Sequence, residues 1–256
     1  MRPLQIIGIV LVRNEDLYVE RAVRNIAGFC DRLFLCDHAS RDATPAILER
    51  LTAALPHASF HRLSHPRQSH DLLKSFCGTP TWVFGVDGDE IYDPGGLEVL
   101  KKSLQGGGWA DVWRMKGNVV HVRSLANGMA RGFAAPPSRS ITKLYNFSAI
   151  RAWDGDTVER LHGGRIEFAP GWNDTMKRNL QETTPWEESP LRCLHLCFLP
   201  RSSDDAGSTV RDNIMETYGA GWRGWFRRTA GSGQWKREHY RMGPEVTVDA
   251  SMFFSA

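Results

Sequence analysis

Ile6-Ile7-Gly8-Ile9-Val10-Leu11-Val12 runs without a polar side chain and then breaks into Arg13-Asn14-Glu15-Asp16. A short, β-branched, continuously apolar run reads as a strand buried on both faces, as in parallel sheets. Asp16 then caps a helix from about Leu17 to Ala27, with Val19, Ala22, Val23 and Ile26 on one face. The alternation repeats outward from there. Leu33-Phe34-Leu35-Cys36 reads as a second strand, and Ala43 to Leu55 as an amphipathic helix with Ile47, Leu48 and Leu51 inward. Ser59 to Leu63 is a third strand, Asp71 to Phe76 a helix and Trp82 to Val86 a fourth strand. Strand and helix alternating at this spacing predict an α/β fold, a mostly parallel sheet flanked by helices.

After Asp93-Pro94-Gly95-Gly96 the pattern loosens. Leu97 to Leu104 is one more helix, and Gln105-Gly106-Gly107-Gly108 breaks the chain. Asp111 to Val122 and Ser140 to Phe147 read as strands separated by a Gly/Ala/Pro-rich loop, Leu125 to Ser138. Ala152 to Pro190 reads as loops and short elements. No clean linker or repeat is visible. The expectation is one domain over 1–256, with a ligand-binding half, 1–104, and a decorated half, 105–256.

Composition agrees. The chain has 256 residues, 41% hydrophobic and 24% charged, with a net charge of +3. That is enough to bury a sizeable core, and wholesale disorder is excluded. No apolar run reaches the roughly 18 residues of a membrane span. The N-terminal run passes straight into Arg13-Asn14-Glu15-Asp16, unlike a signal peptide. Five cysteines without a CxxC pair fit a reducing, cytoplasmic compartment.

In open α/β sheets ligands sit outside the carboxyl ends of the strands. The residues found there are Arg13-Asn14-Glu15-Asp16, Asp37-His38-Ala39-Ser40-Arg41-Asp42-Ala43-Thr44 and Asp87-Gly88-Asp89-Glu90. By itself Asp-Gly is common turn chemistry. At the end of a buried strand, paired carboxylates are costly unless neutralised, and a hard divalent cation with a diphosphate is their natural partner. Asp37 is placed to accept from a base N–H or a ribose hydroxyl, whereas Asp42 and Thr44 read as capping residues.

Together the three segments resemble family 2 glycosyltransferases, in the subgroup with R-N-E after the first strand and D-x-D-E after the fourth. The resemblance covers Ile6 to Tyr92. It implies the GT-A fold, a Rossmann-like, mostly parallel sheet flanked by helices with a decorated C-terminal acceptor-side region. The family's usual second motif is D-D-G-S-x-D-x-T; here His38 replaces the second Asp and Ala39 the Gly. The resemblance places Val12, Arg13, Asn14, Glu15, Asp37 and Gly88 in the nucleotide-sugar pocket. It makes Asp87 and Asp89 the D-x-D pair, with Asp89 ahead of Asp87 as direct ligand of Mn2+ or Mg2+. Asp71 and Lys74 stand near the family's further nucleotide contact, without its usual Arg-Asn pair.

Later segments extend the likeness. Asp154-Gly155-Asp156-Thr157-Val158-Glu159-Arg160-Leu161 is similar to the family's G-x-x-H-E-x-L, with Val158 where His is common. Glu159 is then the candidate base, against a surface ion pair with Arg160; Asp156 and Asp154 are rivals. An inverting transfer needs a carboxylate to take the acceptor hydroxyl's proton. Leu194-His195-Leu196-Cys197-Phe198-Leu199-Pro200-Arg201 resembles a late H-x-x-x-x-P-R, which makes His195 a further metal ligand and Arg201 a diphosphate contact. Cys193 and Cys197 lack a second ligand pair at zinc spacing, so zinc is not expected. His57, His61, His65 and His70 fall on no common face and read as mostly surface residues.

Trp222 to Arg241 interleaves aromatics with Arg223, Arg227, Arg228, Lys236, Arg237 and Arg241 against Glu238 alone. Packing of the aromatics on the domain is the plainer reading. Acceptor contact, or peripheral contact with the inner face of an anionic membrane, comes next. A net charge this small does not point to nucleic acid.

The expected function is a metal-dependent inverting hexosyltransferase. The donor would be a nucleotide sugar, with UDP as the base-rate choice, and the acceptor an unidentified glycan, lipid-linked or protein hydroxyl. Two alternatives stand beside it. A nucleotidyltransferase needs a Gly-rich basic loop after the first strand, which is acidic here. A non-catalytic nucleotide or carbohydrate binder on the same fold is the other.

Overall fold

The computed structural model describes residues 3–138, 140–155, 160–205 and 238–255. In chain order the first elements are β1 (Gln5–Val12), α1 (Val19–Ala27), β2 (Arg32–His38), α2 (Thr44–Ala54), β3 (Ala58–Leu63), α3 (Gln68–Asp71), β4 (Thr81–Val86), β5 (Glu90–Tyr92) and α4 (Pro94–Gln105). There follow β6 (Arg114–Lys116), β7 (Asn118–Ala126), β8 (Met129–Ala134), β9 (Lys143–Asn146), β10 (Ile150–Asp154), β11 (Arg165–Phe168), β12 (Lys177–Asn179), α5 (Leu180–Thr183), β13 (Arg192–His195) and β14 (Glu245–Asp249).

A seven-stranded sheet has the order β12-β6-β9-β4-β1-β2-β3. The strands β4, β1, β2 and β3 run parallel, and β9 is antiparallel to both its neighbours. This is the mostly parallel α/β sheet that the sequence predicts. Side chains alternate along β1. Ile6, Val10 and Val12 enter one core with Val23 and Ile26 of α1, Leu48 and Leu51 of α2 and Leu97 and Leu100 of α4. Ile7, Ile9 and Leu11 enter the opposite core, where Trp113, Tyr145, Phe147 and Trp153 replace long helices. Both faces are therefore buried, which is why β1 is apolar throughout.

A second sheet has the order β14-β8-β7-β13-β5. Among the described residues the chain passes from the first sheet to the second three times, through Asp87-Gly88-Asp89 between β4 and β5, through Gly117 between β6 and β7, and through α5 between β12 and β13. A side chain on Gly117 would collide with the Leu191 carbonyl, so the expected single strand over 111–122 is broken there. The stretch 125–138, expected as loop, is largely a β7–β8 hairpin turning at Asn127 and Gly128, both with positive φ. The expected helix 71–76 is instead the short α3 and a 3-10 turn, Lys74–Phe76. No helix among the described residues is long and apolar enough to cross a membrane.

Candidate functional site

Register brings the strand ends together. Val12 lies opposite Asp37 on β2, and Val10 lies opposite Val86 on β4. With order β4-β1-β2-β3, β2 and β3 are added on one side of β1 and the chain then crosses back to β4 on the other, so the crevice between the ends of β1 and β4 is the topological switch point where such sheets hold ligands.

The loops after β1 and β2 are stitched to one another. Asn14 N–H donates to Ser40 Oγ at 2.9 Å, Glu15 N–H to Thr44 Oγ1 at 2.9 Å, and Arg41 N–H to Asn14 Oδ1 at 2.8 Å. Asn14 and Ala39 both sit at φ 53°. Asn tolerates that region; Ala pays a steric cost of about 1–2 kcal/mol, at the position where the resembled motif has Gly. Asp16 caps nothing in α1, which has no side-chain cap; it accepts instead from Ser203 N–H at 2.8 Å and ties in the loop after Arg201. Asp37 is fully buried, and burial pushes its carboxyl up. Its partners are Ser40 N–H at 3.4 Å and Arg62 Nε at 3.7 Å. Burial, with Arg13 and His65 nearby, pulls the His38 imidazole down to about 4.

At the end of β4, a Cβ on Gly88 would meet the Glu15 carboxylate and lie 2.7 Å from Val12 Cγ1. Only glycine lets the turn approach β1 this closely. The two aspartates flanking it differ. Asp87 pairs with Arg160, whose Nη1 also donates to Val86 O at 2.9 Å, and with Lys143 Nζ at 3.8 Å. Burial pushes the Asp87 carboxyl up, but Arg160 and Lys143 outweigh it and hold it well below the usual carboxylate range. Asp89 is 1% exposed. Its Oδ2 accepts from Arg201 Nη1 at 2.8 Å and lies 3.6 Å from His195 Nε2, while buried Oδ1 has no hydrogen-bond partner among the described residues. Burial keeps His195 below its ordinary value, hence neutral. Next to the pair, burial and then Asp87 push the Glu90 carboxyl up to about 8, and Tyr92 Oη donates to it at 2.9 Å.

A divalent cation fits these residues at Asp89 and His195. An orphaned carboxylate oxygen and a neutral imidazole are what such an ion takes. Asp87 already has two cations of its own.

The structure thus gathers Val12, Arg13, Asn14, Glu15, Asp37, Asp87, Gly88, Asp89, His195 and Arg201 around the strand ends. Asp71 and Lys74 pair with each other at 2.8 Å, and Lys74 also faces Asp154 at 3.8 Å, so the pair touches the loop of the candidate bases and not the D-x-D turn. Asp156 and Glu159 lie outside the described residues, as does 222–237 of the basic aromatic segment. Of that segment's described end, Tyr240 stacks on His121, and Arg241 lies over Phe198 at 5.2 Å.

Four contributors were missed. Arg160, read only as a surface partner of Glu159, is 3% exposed and holds Asp87. His70, read as a surface residue, is buried, and its ring nitrogens meet the carbonyls of Arg160 and Trp153. Ser69 beside it accepts from Arg160 N–H at 3.0 Å. Lys143 enters from the antiparallel β9. The polar pair Ser69-His70 beside apolar Leu72-Leu73 was the one available signal.

No family model matches the chain, and no curated protein matches it. Among solved structures, it is similar to a mannosyltransferase from Pyrobaculum calidifontis in complex with GDP-Man and Mn2+ (18% identity, TM-score 0.35, covering 48% of this chain and 37% of that one). It is also similar to glucosyl-3-phosphoglycerate synthase from Mycobacterium tuberculosis in complex with Mn2+ and UDP (22% identity, TM-score 0.31, 44% and 43% covered). A third is 4-diphosphocytidyl-2C-methyl-D-erythritol synthase from Anaerococcus prevotii (11% identity, TM-score 0.38, 58% and 72% covered). The chain spans less than half the length of the first two. These are partial likenesses of fold, and the chemistry rests on this chain's own residues.

Proposed function

We propose that the protein is a divalent-metal-dependent glycosyltransferase that moves a sugar from a nucleotide sugar, a UDP-sugar first, to an acceptor hydroxyl with inversion. The observation that carries this is the buried Asp89, with one oxygen lacking a partner and a neutral His195 beside it, at the switch point of a parallel sheet. Asp89 and His195 would hold Mn2+ or Mg2+, which supplies Lewis-acid stabilisation of the diphosphate leaving group.

The remaining work falls to the chain. Asp37 and the Asn14–Glu15 loop orient the nucleoside. Arg201 shares its guanidinium between Asp89 and the diphosphate. Arg160 and Lys143 keep Asp87 ionised without a metal and fix the turn's shape. Glu159, or Asp156 as its alternative, takes the acceptor's proton as that oxygen attacks the anomeric carbon. Glu159 directly precedes Arg160 in the sequence. The acceptor and a peripheral membrane contact through Trp222 to Arg241 belong to the same proposal.

The test is a hydrolysis screen across nucleotide sugars with and without Mn2+, which reveals a donor without knowledge of the acceptor. Mn2+-dependent release of nucleoside diphosphate from one donor is the expected result. Nucleotide binding that ignores metal, without turnover, would favour a plain binder instead.

A further inference from the structure

β7 and β13 run side by side in parallel, and their register sets His121 against His195. The Nδ1 atoms of these two rings are 2.9 Å apart. Cys197 follows shortly after β13. Its Sγ and one nitrogen from each ring all lie within 4.8 Å of one another. All three residues are buried, His121 completely. Tyr240 adds an aromatic wall, stacked on His121 at 4.3 Å and edge-on to His195 at 5.3 Å.

The donor set decides the ion. Two imidazoles and a thiolate suit Zn2+ or Co2+, whereas Mg2+ and Mn2+ prefer oxygen. A tetrahedral ion with nitrogen at about 2.0–2.1 Å and sulfur at about 2.3 Å holds its ligand atoms about 3.3–3.6 Å apart. That spacing lies between the 2.9 Å and 4.8 Å found here, so small side-chain rotations close the set. Three protein ligands leave a position for water, as in open zinc sites and unlike closed structural ones.

We propose that His121, His195 and Cys197 form a thiophilic divalent-metal site of the zinc class, distinct from the Asp89 site but sharing His195 with it. The sharing makes the two sites exclusive. A neutral imidazole offers one lone pair. His195 faces His121 through Nδ1 and Asp89 through Nε2. A ring that ligates through Nδ1 carries its proton on Nε2 and turns a donor toward Asp89. Zinc on the trio therefore inhibits transfer; this consequence rests on the transferase reading, and the site itself does not.

The experiment is a Co2+ titration of the metal-stripped full chain under reducing, anaerobic conditions. A thiolate-to-cobalt charge-transfer band should grow to saturation at about one equivalent, and Zn2+ should bleach it. Cys197→Ser should lose the band, and its Zn2+ affinity, measured against a chelating dye, should fall by more than the roughly 10- to 100-fold typical of a lost outer-shell partner. Asp89→Asn and Cys193→Ser should keep the band, with circular dichroism confirming that every variant is folded. No thiolate band in the folded wild type, a band that survives Cys197→Ser, or a band lost in Asp89→Asn would overturn the site. Zn2+ inhibition of Mn2+-supported donor hydrolysis should be relieved in Cys197→Ser relative to that variant's own uninhibited rate. If no donor is hydrolysed at all, the transferase reading fails while the cobalt result stands by itself.

Discussion

The loops after β1 and β2 and the turn after β4 share one sheet edge, but they are built in opposite ways. The loops are stitched by nearby hydroxyls, amides and backbone N–H groups, with Ser40 and Thr44 answering Asn14 and Glu15. The turn is held by charges brought from far along the chain: Arg160 and Lys143 on Asp87, Arg201 on Asp89. Neutral stitching fixes a shape and imported cations fix a charge. The pocket's outline is therefore local, while the ionisation of Asp87 depends on the later half folding correctly.

The largest effect is expected at Asp89. Asp89→Ala should lower donor hydrolysis by about 10^2- to 10^3-fold or more, with an unchanged circular dichroism spectrum. Retained turnover would remove the carboxylate from the chemistry. Next is Arg160→Met, which removes the nearly buried Arg160 from its pair and leaves the Asp87 carboxylate only the more distant Lys143. Breaking a buried pair from one side costs about 3–5 kcal/mol. Urea unfolding should show that loss, and the double variant Arg160→Met, Asp87→Asn should recover most of it. A double variant no better than the single would mean that Arg160 acts by packing alone.

The strand-end loops and the cations that hold the turn were not equally legible in the sequence. Strands 6–12, 33–36 and 82–86 are continuous apolar runs that only a sheet buried on both faces requires, and the polar residues after them named Asn14, Glu15, Asp37, Asp87 and Asp89 without any fold. Lys143, Arg160 and His121 carried no such mark. Lys143 enters on an antiparallel strand of four residues, Lys143–Asn146. Arg160 sits in an irregular loop at φ 46°. His121 meets its partner across 74 residues. Ligand spacing along one segment excluded zinc, because spacing does not see two strands placed in register.

Gly88→Ala probes where shape and charge meet. The added methyl has to push Glu15 or the turn aside, for which overpacking costs about 1–3 kcal/mol. Thermal unfolding should shift modestly while Mn2+-dependent hydrolysis falls further. Equal loss of both would argue that the turn is only a fold element. The smallest expected effect lies among the stitched loops. His38 binds its proton only near pH 4 when folded and at about 6.5 when unfolded. The unfolded chain therefore holds more protons in between, and stability present above pH 6.5 is lost as pH falls toward 4. Urea titrations across that window should show about 1–2 kcal/mol of this slope disappearing in His38→Asn. An identical slope in the variant would assign the acid sensitivity elsewhere.

The passage of the chain from β4 through Asp87-Gly88-Asp89 straight into β5 makes these three residues a mechanical joint. Strand β5 pairs with β13, and Leu196 just beyond β13 donates its N–H to Asp89 O at 2.9 Å. A ligand that grips the turn thus clamps one sheet to the other. Occupancy should be felt as slowed amide hydrogen exchange along β7, a strand that pairs with β13 but carries none of the donor-site residues.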